Sequence, residues 1–188
     1  MEIINFLYRR PSYMLPILKD DIDTIVIHHT GNNNDIHTNT DYHMDHNRWT
    51  YLGYAFYIVD GIVYRARGIE NKNAAVLEHN HHTVSIAVQG DYNKDTLSDE
   101  NFNALQDLIY YLKKEVPSIR HIKPHSHLND TTCCGEYFPW KRLKLQAENY
   151  KEKYNELQEK YNELEEENAK LKREKERLIK ILERRKIR

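Results

Sequence analysis

The residues best suited to chemistry in this chain are histidines and cysteines, and they are grouped. All 11 histidines lie between His28 and His127, and the only two cysteines, Cys133 and Cys134, follow closely. A catalytic zinc takes His and Cys ligands, three of them from protein, and keeps a fourth position open for water. His125 and His127 both lie within eight residues of Cys133. A third ligand can come from His28 or His29, at the end of an apolar run. Adjacent side chains on a strand face opposite ways, so at most one of these two enters a site directly. Adjacent cysteines form a strained ring when oxidised, so the pair reads as a ligand and a buried thiol rather than a disulfide. By type and spacing alone, two choices remain at each histidine pair and two at the cysteines.

The elements that must position these residues follow from pattern. Thr24-Ile25-Val26-Ile27-His28-His29 is β-branched and apolar and reads as a strand. Residues 31–35 are a loop, and Thr38 to Arg48 is expected to be helical, entered through Thr and Asn caps. Tyr54 to Val59 and Ile62 to Arg65 flank Asp60-Gly61, a strong two-residue hairpin signal. Thr83 to Val88 is a further strand. Ser98 caps a helix to about Glu115, whose Phe102, Leu105, Leu108, Ile109 and Leu112 recur at helical spacing. Pro117 stops it, and Ile119 to Ile122 is a short strand before the loop that carries His125, His127 and the cysteines. The expected fold is α/β, a central mixed sheet flanked by helices.

Several of these stretches, taken in order, resemble the type 2 N-acetylmuramoyl-L-alanine amidases, a family that includes amidase-type phage lysozymes and the peptidoglycan recognition proteins. The resemblance is carried by Ile25-Val26-Ile27-His28-His29-Thr30; by Tyr42-His43-Met44-Asp45, Trp49 and Leu52-Gly53-Tyr54-Ala55-Phe56; by Val63-Tyr64-Arg65-Ala66-Arg67-Gly68; by His79-Asn80 and Thr83 to Val88; and by His125, Thr131-Thr132-Cys133-Cys134-Gly135 and Phe138-Pro139-Trp140. It runs from about residue 24 to 140. It implies one Zn2+ per chain held by His28, His125 and Cys133, and two catalytic residues, Tyr54 and Thr131, each able to donate a hydrogen bond to the oxyanion or steer the water. It further implies cleavage of the amide between the lactyl group of N-acetylmuramic acid and L-alanine in peptidoglycan. Cys134 stands where the family usually has proline and is expected to be a bystander. Ala75 stands where relatives often have histidine; His79, His81 and His82 are the candidates to compensate. His29 is expected to be structural and His127 exposed. His43 is expected to hydrogen-bond within the packing of its helix.

After Trp140 the composition changes. Residues 142–188 carry 15 Lys/Arg against 11 Asp/Glu, and residues 1–141 carry 13 against 18. The expected domains are therefore a catalytic part, 1–141, and a long C-terminal helix, 142–188. Leu157, Leu164, Leu171 and Leu178 are seven apart and occupy heptad position d, with Tyr154, Tyr161, Asn168, Lys175 and Leu182 at a. A coiled coil forming a homodimer through residues 150–182 is expected, with Lys160–Glu165 and Glu167–Lys172 as attracting pairs between helices. The basic end, Arg184, Arg185, Lys186 and Arg188, is suited to anionic wall polymer or a membrane surface.

Other classes fit less well. An acidic first part argues against a nucleic-acid partner, and no basic region precedes the heptads as a zipper-type DNA binder requires. No stretch has the roughly 20 apolar residues of a transmembrane span. Met1 to Arg10 lacks the basic and long apolar regions of a signal peptide. The expected setting is synthesis in the cytoplasm without a signal peptide and action on the cell wall, as a phage endolysin releasing progeny. The competing reading is a non-catalytic peptidoglycan-binding module with an oligomerising tail. The presence of Cys133 favours the enzyme.

Overall fold

The computed structural model describes the backbone of residues 2–186 and, in the last helix, the side chains of residues 140–144, 156–177 and 179. The chain divides into two compact units, residues 1–139 and 140–188.

The first unit is built on a six-stranded sheet: β1 (Ile3–Asn5), β2 (Thr24–His29), β3 (Phe56–Val59), β4 (Ile62–Arg65), β5 (Thr83–Val88) and β6 (His121–Pro124), in the order β1-β4-β3-β5-β2-β6. Only the β3–β4 pair is antiparallel; every other neighbouring pair is parallel, so the sheet is mixed. β2 and β5 are buried at all six positions each. Their near-continuous apolar sequences are those of parallel strands covered on both faces. The β3–β4 turn is Asp60-Gly61, with φ of 50° and 72°, which is the pair of positive φ values a tight hairpin loop requires.

Register decides which face each side chain takes. His28, Ala87 and Tyr57 lie in one row across β2, β5 and β3, and Ile27, Ile86 and Phe56 in the next. Successive rows face opposite sides. Tyr57 and Ala87 pack with Phe6, Ile36, Tyr51, Leu52 and Ala66 in one core cluster, so His28 belongs to the face covered by α1 (Ile36–Asp41) and the segment after it. α2 (Asp99–Glu115) packs against β3 and β4 and buries Phe102, Leu105, Leu108, Ile109 and Leu112. Ser98 caps it by accepting the Asn101 amide.

Four boundaries differ from the sequence expectations. The first helix begins at Ile36, because Asp35, not a Thr or Asn, accepts the Thr38 amide. It then widens into a π-helical turn at Tyr42–His46, where Asn47 N donates to Tyr42 O. β3 begins at Phe56 rather than Tyr54, since Tyr54 precedes the pairing of Phe56 with Arg65. The last strand is His121–Pro124, two residues later than expected, set by Thr24 of β2 pairing with His121. β1 carries no sequence signal of its own; it is an edge strand of three residues alongside β4.

The second unit is one long helix, α3 (Trp140–Lys186). Leu157, Tyr161, Leu164 and Leu171 are more than half exposed along it. Tyr154, Leu178 and Leu182 of the heptads and the basic end at residues 184–188 lie outside the described side chains. Among the described residues, no helix is long and apolar enough to cross a membrane.

Candidate metal centre

His28 is the penultimate residue of β2 and lies on the face covered by α1. His29 turns to the other face, where its Nδ1 accepts the Tyr92 amide at 3.0 Å and stands 3.7 Å from Asp91. Strand alternation thus separates the two adjacent histidines, and His29 takes a structural position. His125 follows β6 at the head of a 3-10 turn, His125–His127. Its Nε2 lies 3.0 Å from Asn129 Oδ1, so Nε2–H donates there and the lone pair remains on Nδ1. His127 is exposed.

Cys133 is brought to these histidines by a tightly closed loop. Ser126 N donates to Cys133 O at 2.7 Å, and Cys133 N donates to Thr131 Oγ1 at 3.2 Å. Gly135 (φ 97°) lets the loop lie against residue 92; a Cβ there would stand 2.2 Å from the Tyr92 carbonyl carbon. The Cys133 sulfur accepts the His29 amide at 3.4 Å and stands 3.7 Å from His28 Nδ1. Ligand atoms of His28, His125 and Cys133 all lie within 4.8 Å of one another. Cys134 is buried and outside this group.

The donor set fits a zinc ion. The Cys133 sulfur faces His28 Nδ1 at 3.7 Å, close to the separation of two ligand atoms on one tetrahedral zinc; among the described residues, His28 Nε2 is the one buried side-chain nitrogen or oxygen without a partner. Burial pushes the His28 imidazole well below its ordinary pKa, aided by the nearby His125 and His29. Burial also lowers His125, against the Asn129 hydrogen bond, and pushes the Cys133 thiol up to about 12. Neutral imidazoles are ready ligands; the thiol must release its proton to become one.

The three residues open onto a cavity of about 220 Å3 that is also lined by His29, Thr30, Gly31, Trp49, Tyr54 and Ala75. The Tyr54 ring lies 5.3 Å from His28 and 5.4 Å from His43. Burial raises its hydroxyl pKa further above the ordinary tyrosine value, so it stays protonated. His43 is buried behind it; its Nδ1 accepts the Gly53 amide at 3.1 Å, and its ring packs on Trp49 at 4.7 Å. Burial and the Arg67 guanidinium lower its pKa to about 4. Thr131 is not among the residues lining the cavity; its hydroxyl serves the ligand loop. Nor do His79, His81 and His82 reach the cavity that Ala75 borders. Asn129, which sets the His125 tautomer, had no distinguishing sequence signal beyond its place four residues after a ligand.

Residues 18–136 match the family model of N-acetylmuramoyl-L-alanine amidases. Peptidoglycan-recognition protein SC1a of Drosophila melanogaster is 30% identical over 131 residues, 63% of this chain and 70% of that protein. Among solved structures, the N-acetylmuramoyl-L-alanine amidase LysC of Clostridium intestinale URNW is similar with a TM-score of 0.68 at 27% identity, covering 79% of this chain and 98% of that one. The endolysin of Thermus scotoductus bacteriophage Ph2119 is similar at 25% identity with a TM-score of 0.68, covering 76% and 96%. A peptidoglycan-related amidase or binding role, on a mixed sheet with flanking helices, is common ground among these relatives. The chain belongs to the N-acetylmuramoyl-L-alanine amidase family.

Proposed function

We propose that this chain is a zinc-dependent hydrolase of the bond between N-acetylmuramic acid and L-alanine in peptidoglycan. The carrying observation is the convergence of His28, His125 and Cys133, whose ligand atoms lie within 4.8 Å of one another beside a cavity, with His28 Nδ1 toward the Cys133 sulfur. Zinc, when bound by these three, supplies Lewis acidity and a water of lowered pKa. The chain's own residues do the rest. Asn129 holds His125 in one tautomer. Tyr54, kept protonated by burial, donates a hydrogen bond to the oxygen that gains charge when the amide carbon becomes tetrahedral. Trp49 walls the cavity, and His43 braces the Gly53 backbone before Tyr54. Thr131 acts through the ligand loop by accepting the Cys133 amide.

The finer role we propose is that of an endolysin, in which the enzyme meets the wall of a host cell; the bacteriophage endolysin among its structural relatives supports this. Self-association of α3 into a homodimer would give two catalytic units on one polymeric substrate, raising avidity. The experiment is metal analysis beside wall lysis for wild type and Cys133→Ala. About one zinc per chain and lysis are expected in the wild type, with both lost in the variant. Lysis that survives verified loss of zinc overturns the mechanism. A wild type that binds walls without releasing L-alanine N-termini identifies a binding module instead.

A further inference from the structure

A second histidine group stands at the other end of β2, beyond anything the amidase reading uses. His82 Nδ1 lies 2.8 Å from Asp23 Oδ1. His82 Nε2 lies 3.0 Å from His79 Nδ1. Both rings are half-buried, and the exposed His81 ring lies 4.7 Å from that of His82. The geometry is held from several sides. Asp23 Oδ1 also accepts the Thr24 hydroxyl at 2.6 Å, Asp23 N donates to His82 O at 3.1 Å, and the Thr83 hydroxyl donates to His79 O at 2.9 Å. Asn80 Oδ1 accepts the Ala75 and Val76 amides and closes the turn. Asp23 precedes His28 by five residues, roughly 16 Å at the rise of a strand, so this group is separate from the zinc ligands.

The hydrogen bonds define where the lone pairs are. Asp23 accepts the Nδ1–H of His82, which leaves the His82 lone pair on Nε2. His79 presents Nδ1 to the same point. A carboxylate that takes the far N–H of an imidazole is the arrangement that orients metal-binding histidines and raises their basicity. Two imidazole nitrogens on one tetrahedral ion, each about 2.0–2.1 Å from it, stand about 3.3 Å apart. The observed 3.0 Å between the two nitrogens needs only a small widening.

We propose that His79 and His82 form a second, weaker site for a late first-row divalent cation such as Zn2+ or Ni2+, with Asp23 orienting His82 and water completing the shell. Imidazole ligands suit these ions. On binding, His82 coordinates through Nε2 and keeps its Nδ1–H on Asp23. His79 moves its ring proton from Nδ1 to Nε2 and coordinates through Nδ1, so the two neutral rings release no net proton. The ion would tether the segment 73–82 to the start of β2. That segment also borders the catalytic cavity through Ala75, and its Leu77 carbonyl accepts from Asn129, the partner of His125.

The test is calorimetric titration of Ni2+ and of Zn2+ into full-length protein already holding one zinc. A second, weaker equivalent is expected. It should disappear in His79→Gln and in His82→Gln, weaken by about 10–100-fold in Asp23→Asn, and persist in His81→Gln. Retention of the first zinc and of the thermal transition checks folding, and His79→Gln alone decides if His82→Gln misfolds. Cys133→Ala separates this site from the zinc reading, because it should lose the first equivalent and keep the second. Saturation of the wild type at one equivalent, or a second equivalent that survives both His79→Gln and His82→Gln, overturns the proposal; the imidazoles are then only a hydrogen-bonded pair.

Discussion

Helices α2 and α3 carry leucine at helical intervals to opposite effect. In α2, Leu105, Leu108 and Leu112 are fully buried against the sheet of their own unit. In α3, Leu157, Leu164 and Leu171 are 66%, 57% and 56% exposed. Burying one such side chain contributes about 1.5–3 kcal/mol. α2 realises that within one unit, whereas α3 leaves its leucines exposed. On the proposed reading, residues 1–139 carry the chemistry and the exposed leucines of α3 are what a second copy would cover. Variants that separate chemistry from association test this.

His28→Ala should have the largest effect. It removes one of the three proposed ligands and leaves the buried Cys133 thiol beside a vacated volume. Metal stoichiometry should fall well below one, and lysis by about 1,000-fold or more, since the metal's charge stabilisation is several kcal/mol. The sedimentation coefficient should not change. A change in association state along with lysis would break the division between the two regions.

Tyr54→Phe comes next. It removes a hydroxyl from the cavity while keeping the ring between His28 and His43. Loss of one oxyanion donor costs about 100–1,000-fold in kcat. Zinc content should stay near that of the wild type. Full kcat on a soluble muropeptide would remove Tyr54 from the chemistry.

Substitution in α3 should reverse the pattern. Leu164→Glu with Leu171→Glu puts charge into the heptad seam. Sedimentation is expected to show a dimer for the wild type, as proposed, and a monomer for the variant. Turnover of a small soluble muropeptide should be unchanged, and lysis of whole walls reduced only by the lost avidity. A wild type that sediments as a monomer ends the dimer proposal.

What could be read from the sequence, and what could not, follows the same physical division. β2, β5 and the hairpin were legible because burial on both faces and an Asp-Gly turn write themselves locally. The cluster of His and Cys was legible as a donor set, but its members were not. Alternation allows at most one of His28 and His29 to ligate directly, and the family resemblance points to His28; the tertiary contact that engages His29 Nδ1, with the Tyr92 amide 63 residues away, has no local signal. β1 was hidden because three edge residues acquire meaning only by pairing with Val63 to Arg65. The π-helical turn at Tyr42–His46 was hidden because one extra residue in a turn leaves apolar spacing almost unaltered. Asp23 and His82 lie 59 residues apart, and no local pattern joins them.

Acid gives the finest separation of the two regions, because every histidine lies in the first unit. His43 has its pKa lowered from 6.5 to about 4 by burial and by Arg67. The unfolded chain then binds a proton that the folded one refuses. Stability is therefore full above the unfolded value of about 6.5 and falls as pH drops from there towards 4. Between pH 8 and pH 5 the His43 contribution lost is about 2 kcal/mol. In His43→Asn, Oδ1 can still accept the Gly53 amide, and no proton is refused. Urea unfolding should show the variant less stable at pH 8, through lost contact with Trp49, yet with a pH dependence smaller by about 2 kcal/mol. Helix α3 has no histidine, so its circular dichroism should not follow this transition. An unaltered pH slope in the variant would mean that His43 gains access to water or an anionic partner on protonation, and that the packing behind Tyr54 is looser than the Gly53 and Trp49 contacts require.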